Sequence, residues 1–243
     1  MQALWNGIDN TNINLFQFKR NKGYHSDFVA VSDFWQSYTF NHTNLRTKGR
    51  VHAKVPGGSP FGQTLPLPSS AHPLPEYNST SYISYVTILN PIPLAESSIR
   101  VIRIHSARKR ELIAKIPVLK VPYMHSFGLS KNYAVIYAAP LFINIPKMLE
   151  TAEPVNSLEW HSDEPMNVHV VHLKTGKVTS LKTPPIFHMH HINAFEEGSK
   201  ITLDAITYPN LEFMRSLEMT RLVNVTQRND IEINSAIKRF VID

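Results

Sequence analysis

The stretch Pro122-Tyr-Met-His-Ser-Phe-Gly-Leu129, together with the run Tyr133-Ala-Val-Ile-Tyr-Ala138 that follows it, indicates the fold class. Proline and glycine bracket a short segment with one histidine, and β-branched and aromatic residues fill the run after it. A segment that interrupts regular structure, followed by a short apolar run, is typical of a protein built from short strands.

The same pattern recurs along most of the chain, and the Lys174-Thr-Gly-Lys177 turn predicts a hairpin. Leu211, Met214 and Leu217 have helical spacing, so a short helix is predicted within Asn210–Leu222. The Pro-, Gly- and Ser-rich segment from Val55 to Pro75 predicts an irregular loop. Many short strands with almost no helix predict an all-β fold, and the pattern leaves a sandwich, a barrel and a propeller open. Further strands are predicted at Phe28–Val31, Gln36–Phe40, Ser81–Leu89, Ile99–Ile104, Glu111–Ile116, Asn167–Leu173, Val178–Leu181, Ile201–Thr207 and Ile237–Val241.

The composition excludes several classes of function. The net charge is +6, but the basic residues are scattered, and the densest group, Arg108-Lys109-Arg110, is interpreted as a solvated turn. No nucleic-acid partner is therefore expected. The chain has no cysteine, which excludes disulfides and thiolate metal sites and fits a reducing compartment such as the cytoplasm.

No apolar run reaches membrane-spanning length. The stretch Phe142, Ile143, Ile145, Met148 and Leu149 beside Lys147 has two interpretations, a core strand with a loop or a peripheral membrane contact.

Three of the twelve histidines stand in unusual settings: His72 in the Pro-rich segment, His125 after Pro122-Tyr-Met, and His190 in Phe187-His-Met-His-His191. Their separations, 53 and 65 residues, are near the length of one propeller blade. One histidine at the same end of each of three blades would converge on the propeller axis. Imidazole binds iron, zinc, copper and nickel, so the spacing names no metal, and surface or core roles stay open. His188 would share the side of His190 in an extended strand, which makes it the main alternative ligand, and His191 would point away.

These histidine blocks resemble those of the carotenoid cleavage oxygenases, particularly the animal β-carotene oxygenases and the retinoid isomerohydrolase. Ala71-His72-Pro73 is similar to the block around the family's first iron ligand, and Tyr123-Met-His125-Ser-Phe-Gly128 to the block around the second. His190-His-Ile-Asn193-Ala-Phe-Glu-Glu197 is similar to the block around the third, with Met189 where the family usually has Phe.

The resemblance implies an incomplete seven-bladed β-propeller with a short helical insertion. It places residues 1–243 in a single truncated domain that lacks the first blade and the C-terminal blades, and that therefore leaves open blade edges. It also implies an Fe(2+) centre with four axial histidines, of which His72, His125 and His190 would be three. The fourth would lie beyond Asp243, where the predicted last strand stops. Asp33 falls where the family has a glutamate that hydrogen-bonds to one ligand, and its shorter side chain is expected to reach less far.

The function that the resemblance implies is oxidative cleavage of a polyene double bond by O2 to aldehyde products. The partners would be a carotenoid, apocarotenoid or retinoid substrate and O2, in a cytoplasmic protein with peripheral membrane contact. One alternative is a catalytically inactive truncated member that binds lipid or metal weakly. A second, an unrelated β-propeller interaction module, is disfavoured by the histidine blocks.

Overall fold

The computed structural model describes residues 13–18, 28–33, 35–51, 53–57, 65–90, 96–150, 154–231 and 234–243. Within these ranges the chain forms successive antiparallel sheets, and neighbouring strands in the chain are mostly neighbours in a sheet. The first sheet contains β1 (Asn14–Gln17), β2 (Phe28–Val31), β3 (Ser37–Phe40) and β4 (Thr47–Arg50). The second contains β5 (Leu65–Ser69), β6 (Leu74–Pro75), β7 (Tyr82–Leu89), β8 (Ser97–Ile104) and β9 (Arg110–Val118).

The second half of the chain repeats this plan with two insertions. The third sheet begins with β10 (Gly128–Leu129) and β11 (Tyr133–Ala138). A ribbon of β12 (Leu141–Ile143) and β13 (Leu158–Trp160), with helix α1 (Ile145–Glu150) between them, interrupts it before β14 (Met166–His172) and β15 (Val178–Thr183). The last sheet contains β16 (Phe187–Glu197), β17 (Lys200–Tyr208) and β18 (Ala236–Ile242). The second insertion, between β17 and β18, holds α2 (Glu212–Ser216), α3 (Met219–Val223) and α4 (Val225–Asn229).

Each main apolar core lies between two successive sheets, as expected for stacked blades. Val29 of the first sheet and Val86 of the second belong to one core, and Tyr85 and Ile136 join the second sheet to the third. Val168 and Leu203 join the third sheet to the last. Because β-branched and aromatic residues face both neighbours, the strands of the middle sheets are buried on two sides.

The prediction of an all-β fold is confirmed, and the predicted strands are present with shifts of one or two residues at their ends in most cases. The Lys174–Lys177 turn joins β14 to β15, and Arg108-Lys109 lies in the turn between β8 and β9. The prediction of an irregular loop from Val55 to Pro75 was wrong in part, since β5 and β6 form within it. β5 occupies the edge of its sheet, where proline is tolerated because the missing N–H leaves no central ladder bond unmade.

The prediction of a short helix within Asn210–Leu222 is confirmed by α2 (Glu212–Ser216). A second short helix, α3, begins at Met219 after a turn. None of the described helices has the length and the apolar character that a membrane span requires.

The apolar stretch around Lys147 forms a strand and a helix. Ile143 is buried, and Ile145 and Met148 pack with it, while Nζ of Lys147 pairs with Glu159 at 2.6 Å. This packing is that of a small core, and peripheral membrane contact stays a prediction.

Substitution of the hairpin glycine Gly176 is expected to destabilise the fold. Its φ is +71°, and an added Cβ would meet the carbonyl oxygen of Ile113 well inside van der Waals contact. Gly198 provides a matched control, because its φ is +60° but the space around it is open. Left-handed strain costs about 1–2 kcal/mol in both variants. Gly176→Ala should therefore lower the free energy of unfolding by about 1–3 kcal/mol more than Gly198→Ala, as measured by urea denaturation. Equal losses would contradict this assignment.

Candidate metal centre

Three different parts of the fold carry the three predicted histidines. His72 lies in the loop between β5 and β6, His125 in the segment between β9 and β10, and His190 within β16. Residues near each histidine are buried in an apolar core. Ala71 lies in the core between the first and second sheets, and Met124 and Phe127 lie in the core between the second and third. Met189 lies in a smaller cluster near β12. The backbone at each histidine is therefore anchored by apolar packing, while the imidazoles face one another.

The three imidazoles converge on one point. Nε2 of His72 lies 2.9 Å from Nε2 of His125, which lies 3.1 Å from Nε2 of His190. The ligand atoms of all three residues lie within 4.8 Å of one another. His125 is buried and the other two are half-buried, so the cluster is open on one side.

The spacing of the nitrogens suits a metal ion. Two imidazole nitrogens bound at ~2.1 Å and at right angles are about 3.0 Å apart, whereas a tetrahedral angle would separate them by about 3.4 Å. The two observed separations, 2.9 and 3.1 Å, agree with the right angle. Three imidazole nitrogens suit Fe(2+), as they suit the other metals that imidazole binds, and they leave further coordination positions available.

Asp33 contacts the middle histidine directly. Its Oδ2 lies 3.0 Å from Nδ1 of His125 and also accepts a hydrogen bond from the hydroxyl of Tyr123, at 3.1 Å. The expected shortfall in the reach of Asp33 is thus not observed. Because a carboxylate only accepts, Nδ1 of His125 carries a proton, which leaves Nε2 as the nitrogen that would bind a metal in the cluster. Tyr123 was not singled out from the sequence, although its position two residues before His125 in an extended segment would have placed it on the same side.

Burial favours neutral imidazoles in the cluster. Desolvation, followed by the neighbouring His125 and His190, lowers the pKa of His72 to about 4, against the opposing effect of Asp33. Desolvation and His125 also lower the pKa of His190. Metal binding requires the unprotonated nitrogen, so the environment holds these rings in the form that can bind.

The prediction that His188 shares the side of His190 was wrong. Four residues of β16, from His188 to His191, oppose only three of β17, from Thr207 to Ala205, so a β-bulge interrupts the alternation. The rings of His188 and His191 consequently face each other at 5.0 Å and both contact Tyr137. His188 is buried and His191 is half-buried, and among the described residues neither nitrogen of His188 has a hydrogen-bond partner.

Successive antiparallel sheets with three converging histidines define the class as a β-propeller with a candidate metal centre, and comparison with known proteins identifies the family. The chain belongs to the Retinal pigment epithelial membrane protein family, whose model matches residues 2–243. In structure it is similar to a cobalt-substituted apocarotenoid oxygenase from Synechocystis, with a TM-score of 0.61 and 21% sequence identity over 89% of this chain and 44% of that one. The alignment confirms the prediction of an incomplete β-propeller.

Curated relatives include the β,β-carotene 15,15′-dioxygenase of Gallus gallus, 29% identical over 54% of this chain and 27% of the relative. The carotenoid isomerooxygenase of Galleria mellonella is 27% identical over 44% of this chain and 22% of the relative. The chain therefore aligns with less than a third of either curated relative.

Removal of the charge on Asp33 should weaken metal binding. We expect Asp33→Asn to raise the apparent Kd for Co²⁺ about 10-fold, because loss of a partner that orients a ligating histidine commonly costs 10–100-fold. The measurement is a titration followed by the visible absorption of Co²⁺. Asp204→Asn is the control, since Asp204 pairs with Arg239 on another strand. The same Kd in both variants would show that Asp33 does not orient a ligand.

The buried His188 should make stability depend on pH. Burial lowers the pKa of His188 from 6.5 to about 4, so below pH 6.5 the unfolded chain binds a proton that the folded chain does not. The stabilisation is complete above pH 6.5 and is lost as the pH falls towards 4, by on the order of 3 kcal/mol. His188→Leu should flatten this slope of unfolding free energy against pH between 7.5 and 4.5. Parallel slopes for the two proteins would rule out this contribution.

Proposed function

We propose that this chain forms part of a non-haem Fe(II)-dependent carotenoid or apocarotenoid oxygenase. The reaction is oxidative cleavage of a polyene double bond by O2 to aldehyde products. The observation that carries the proposal is the convergence of three imidazole Nε2 atoms, at 2.9 and 3.1 Å, from three separate parts of the fold. The family and the names of the curated relatives support the substrate class.

His72, His125 and His190 are proposed as the metal ligands, with Asp33 as the group that orients His125. Neutral ligands leave the ion with its full positive charge, and a single carboxylate behind the ligands offsets part of that charge without occupying a coordination position. When bound, Fe(II) would supply the activation of O2. The side chains around the cluster exclude water on its buried side, while the half-exposed faces of His72 and His190 leave an approach for a substrate.

A catalytically inactive truncated member that binds metal weakly is the second candidate. It is favoured by the number of ligands: the described residues bring together three histidines, whereas the resemblance implies four. Three of four ligands would hold the ion less tightly, because each missing donor removes a charge–dipole interaction that water must replace.

Iron content separates the two candidates. Because three histidines converge among the described residues and the resemblance implies four, we expect the chain of residues 1–243, expressed alone, to hold well below one equivalent of iron and to cleave no carotenoid. The measurements are iron by elemental analysis and product by chromatography of β-carotene and an apocarotenal after aerobic incubation. His125→Ala should lower the residual iron further, and His172→Ala, which changes a histidine of the β14–β15 hairpin, is the matched control.

Two outcomes would decide against parts of this proposal. Stoichiometric iron with turnover would mean that another residue of this chain completes the site. Residual metal that is unchanged by His125→Ala would show that the three histidines are not the ligands. An open reading frame that continues past Asp243 into a further histidine block would favour the oxygenase over the inactive member.

A further inference from the structure

Two serine hydroxyls join the backbone segments that carry the three histidines. Ser70 lies two residues before His72, and Ser126 directly follows His125. Both side chains belong to buried residues, at 5% exposure each. The proposed iron site does not use either hydroxyl as a ligand.

Ser70 connects the first histidine segment to the second. Its Oγ donates to the carbonyl oxygen of His125 at 3.2 Å and accepts from the backbone N–H of His72 at 3.0 Å. One hydroxyl thus holds the main chain of two proposed ligands from different elements. A further backbone bond, from the N–H of Ser69 to the carbonyl oxygen of Asp33 at 2.7 Å, attaches the same loop to the residue behind His125.

Ser126 connects the second segment to the third. Its Oγ donates to the carbonyl oxygen of Met189 at 2.7 Å and accepts from the N–H of His191 at 2.9 Å. Met189 and His191 are the two neighbours of His190, so the hydroxyl holds both peptide groups that flank this histidine. These bonds cross the bulge of β16, where regular pairing with β17 is interrupted.

The bond to Met189 also determines the tautomer of His191. A hydroxyl has one proton, and the carbonyl oxygen can only accept it, so the contact of 2.9 Å between Oγ and Nδ1 of His191 requires Nδ1 to donate. The ring of His191 is thereby held by Ser126 and directed away from the cluster. His190 is the member of the pair that remains to face His125.

We propose that the hydroxyls of Ser70 and Ser126 are positioning groups that hold the three histidine segments in register before a metal binds. Three nitrogens from distant parts of the chain must meet within a few tenths of an ångström, and apolar packing alone tolerates shifts of that size. A hydrogen bond between the segments restricts them directionally. The inference rests on one part of the proposed function, namely that the three histidines bind a metal ion.

Ser130 offers a matched control. It is buried, at 6% exposure, and it also joins two elements, with Oγ donating to Glu196 at 2.6 Å and accepting from the N–H of Tyr133 at 3.2 Å. It touches no backbone beside a proposed ligand. Ser130→Ala should therefore lose comparable hydrogen bonding without altering the histidines.

The first test is Co²⁺ titration of Ser70→Ala, Ser126→Ala and Ser130→Ala, with the visible spectrum and the urea midpoint recorded for each. If Ser70 and Ser126 position the histidines, Ser70→Ala and Ser126→Ala should each raise the apparent Kd for Co²⁺ about 10-fold and change the ligand-field spectrum. Both changes should exceed any change in Ser130→Ala. The two serines are tested independently, so one variant that fails to fold leaves the other decisive. Unchanged Co²⁺ binding and spectra in Ser70→Ala and Ser126→Ala would overturn the inference and leave the proposed function standing.

The second test needs no metal. In the metal-free chain the amide protons of His72 and His191 are bound by the two hydroxyls, so hydrogen exchange at His72 in Ser70→Ala, and at His191 in Ser126→Ala, should be at least about 10-fold faster. Exchange at both amides should stay unchanged in Ser130→Ala. If the unaltered chain binds no Co²⁺, its three histidines alone do not hold the metal, and this measurement still decides the inference: faster exchange supports the serine bonds, and unchanged exchange contradicts them.

Discussion

The convergence of three imidazoles on a single point is the constraint on which the rest of this structure depends. The histidines are 53 and 65 residues apart in the chain, and no local motif can bring them together. Each is carried by a break in regular structure, and the cores between successive sheets hold the residues that flank these breaks. A small relative movement of two sheets would therefore separate the nitrogens. The geometry of the cluster thus depends directly on the packing between the sheets.

The electrostatics of the cluster follow from the same arrangement. The buried ring of His125 and the half-buried rings of His72 and His190 form the cluster, and one carboxylate, that of Asp33, contacts the ring of His125 from behind. A cation placed among the nitrogens would thus interact with lone pairs in front and with a carboxylate at a distance. The second oxygen of Asp33 is buried and has no hydrogen-bond partner among the described residues. Burial of an unpaired carboxylate oxygen is costly, and a nearby positive charge would offset part of that cost.

The sequence predicted the strands well because most of them are short apolar runs bounded by turn residues, as in Tyr133–Ala138. It was less informative where tertiary position overrides local preference. β5 contains Pro66 and Pro68, and only its place at a sheet edge makes a strand possible there. The three histidines were suggested by spacing, but iron and the identity of the ligands came from the resemblance. The contact of Tyr123 with Asp33 depends on residues 90 positions apart, and spacing within one segment could not reveal it.

The bulge in β16 determines which side chains of the run His188-Met-His-His191 face the cluster. A regular strand would offer alternate residues of this run to the cluster, and the extra residue decides which imidazole faces inward. Loss or gain of one residue here would exchange the inward and outward histidines while leaving the composition of the segment almost unchanged. Three histidines within four positions would thus retain a metal-binding side chain near the cluster through such a slip, although with a different backbone holding it.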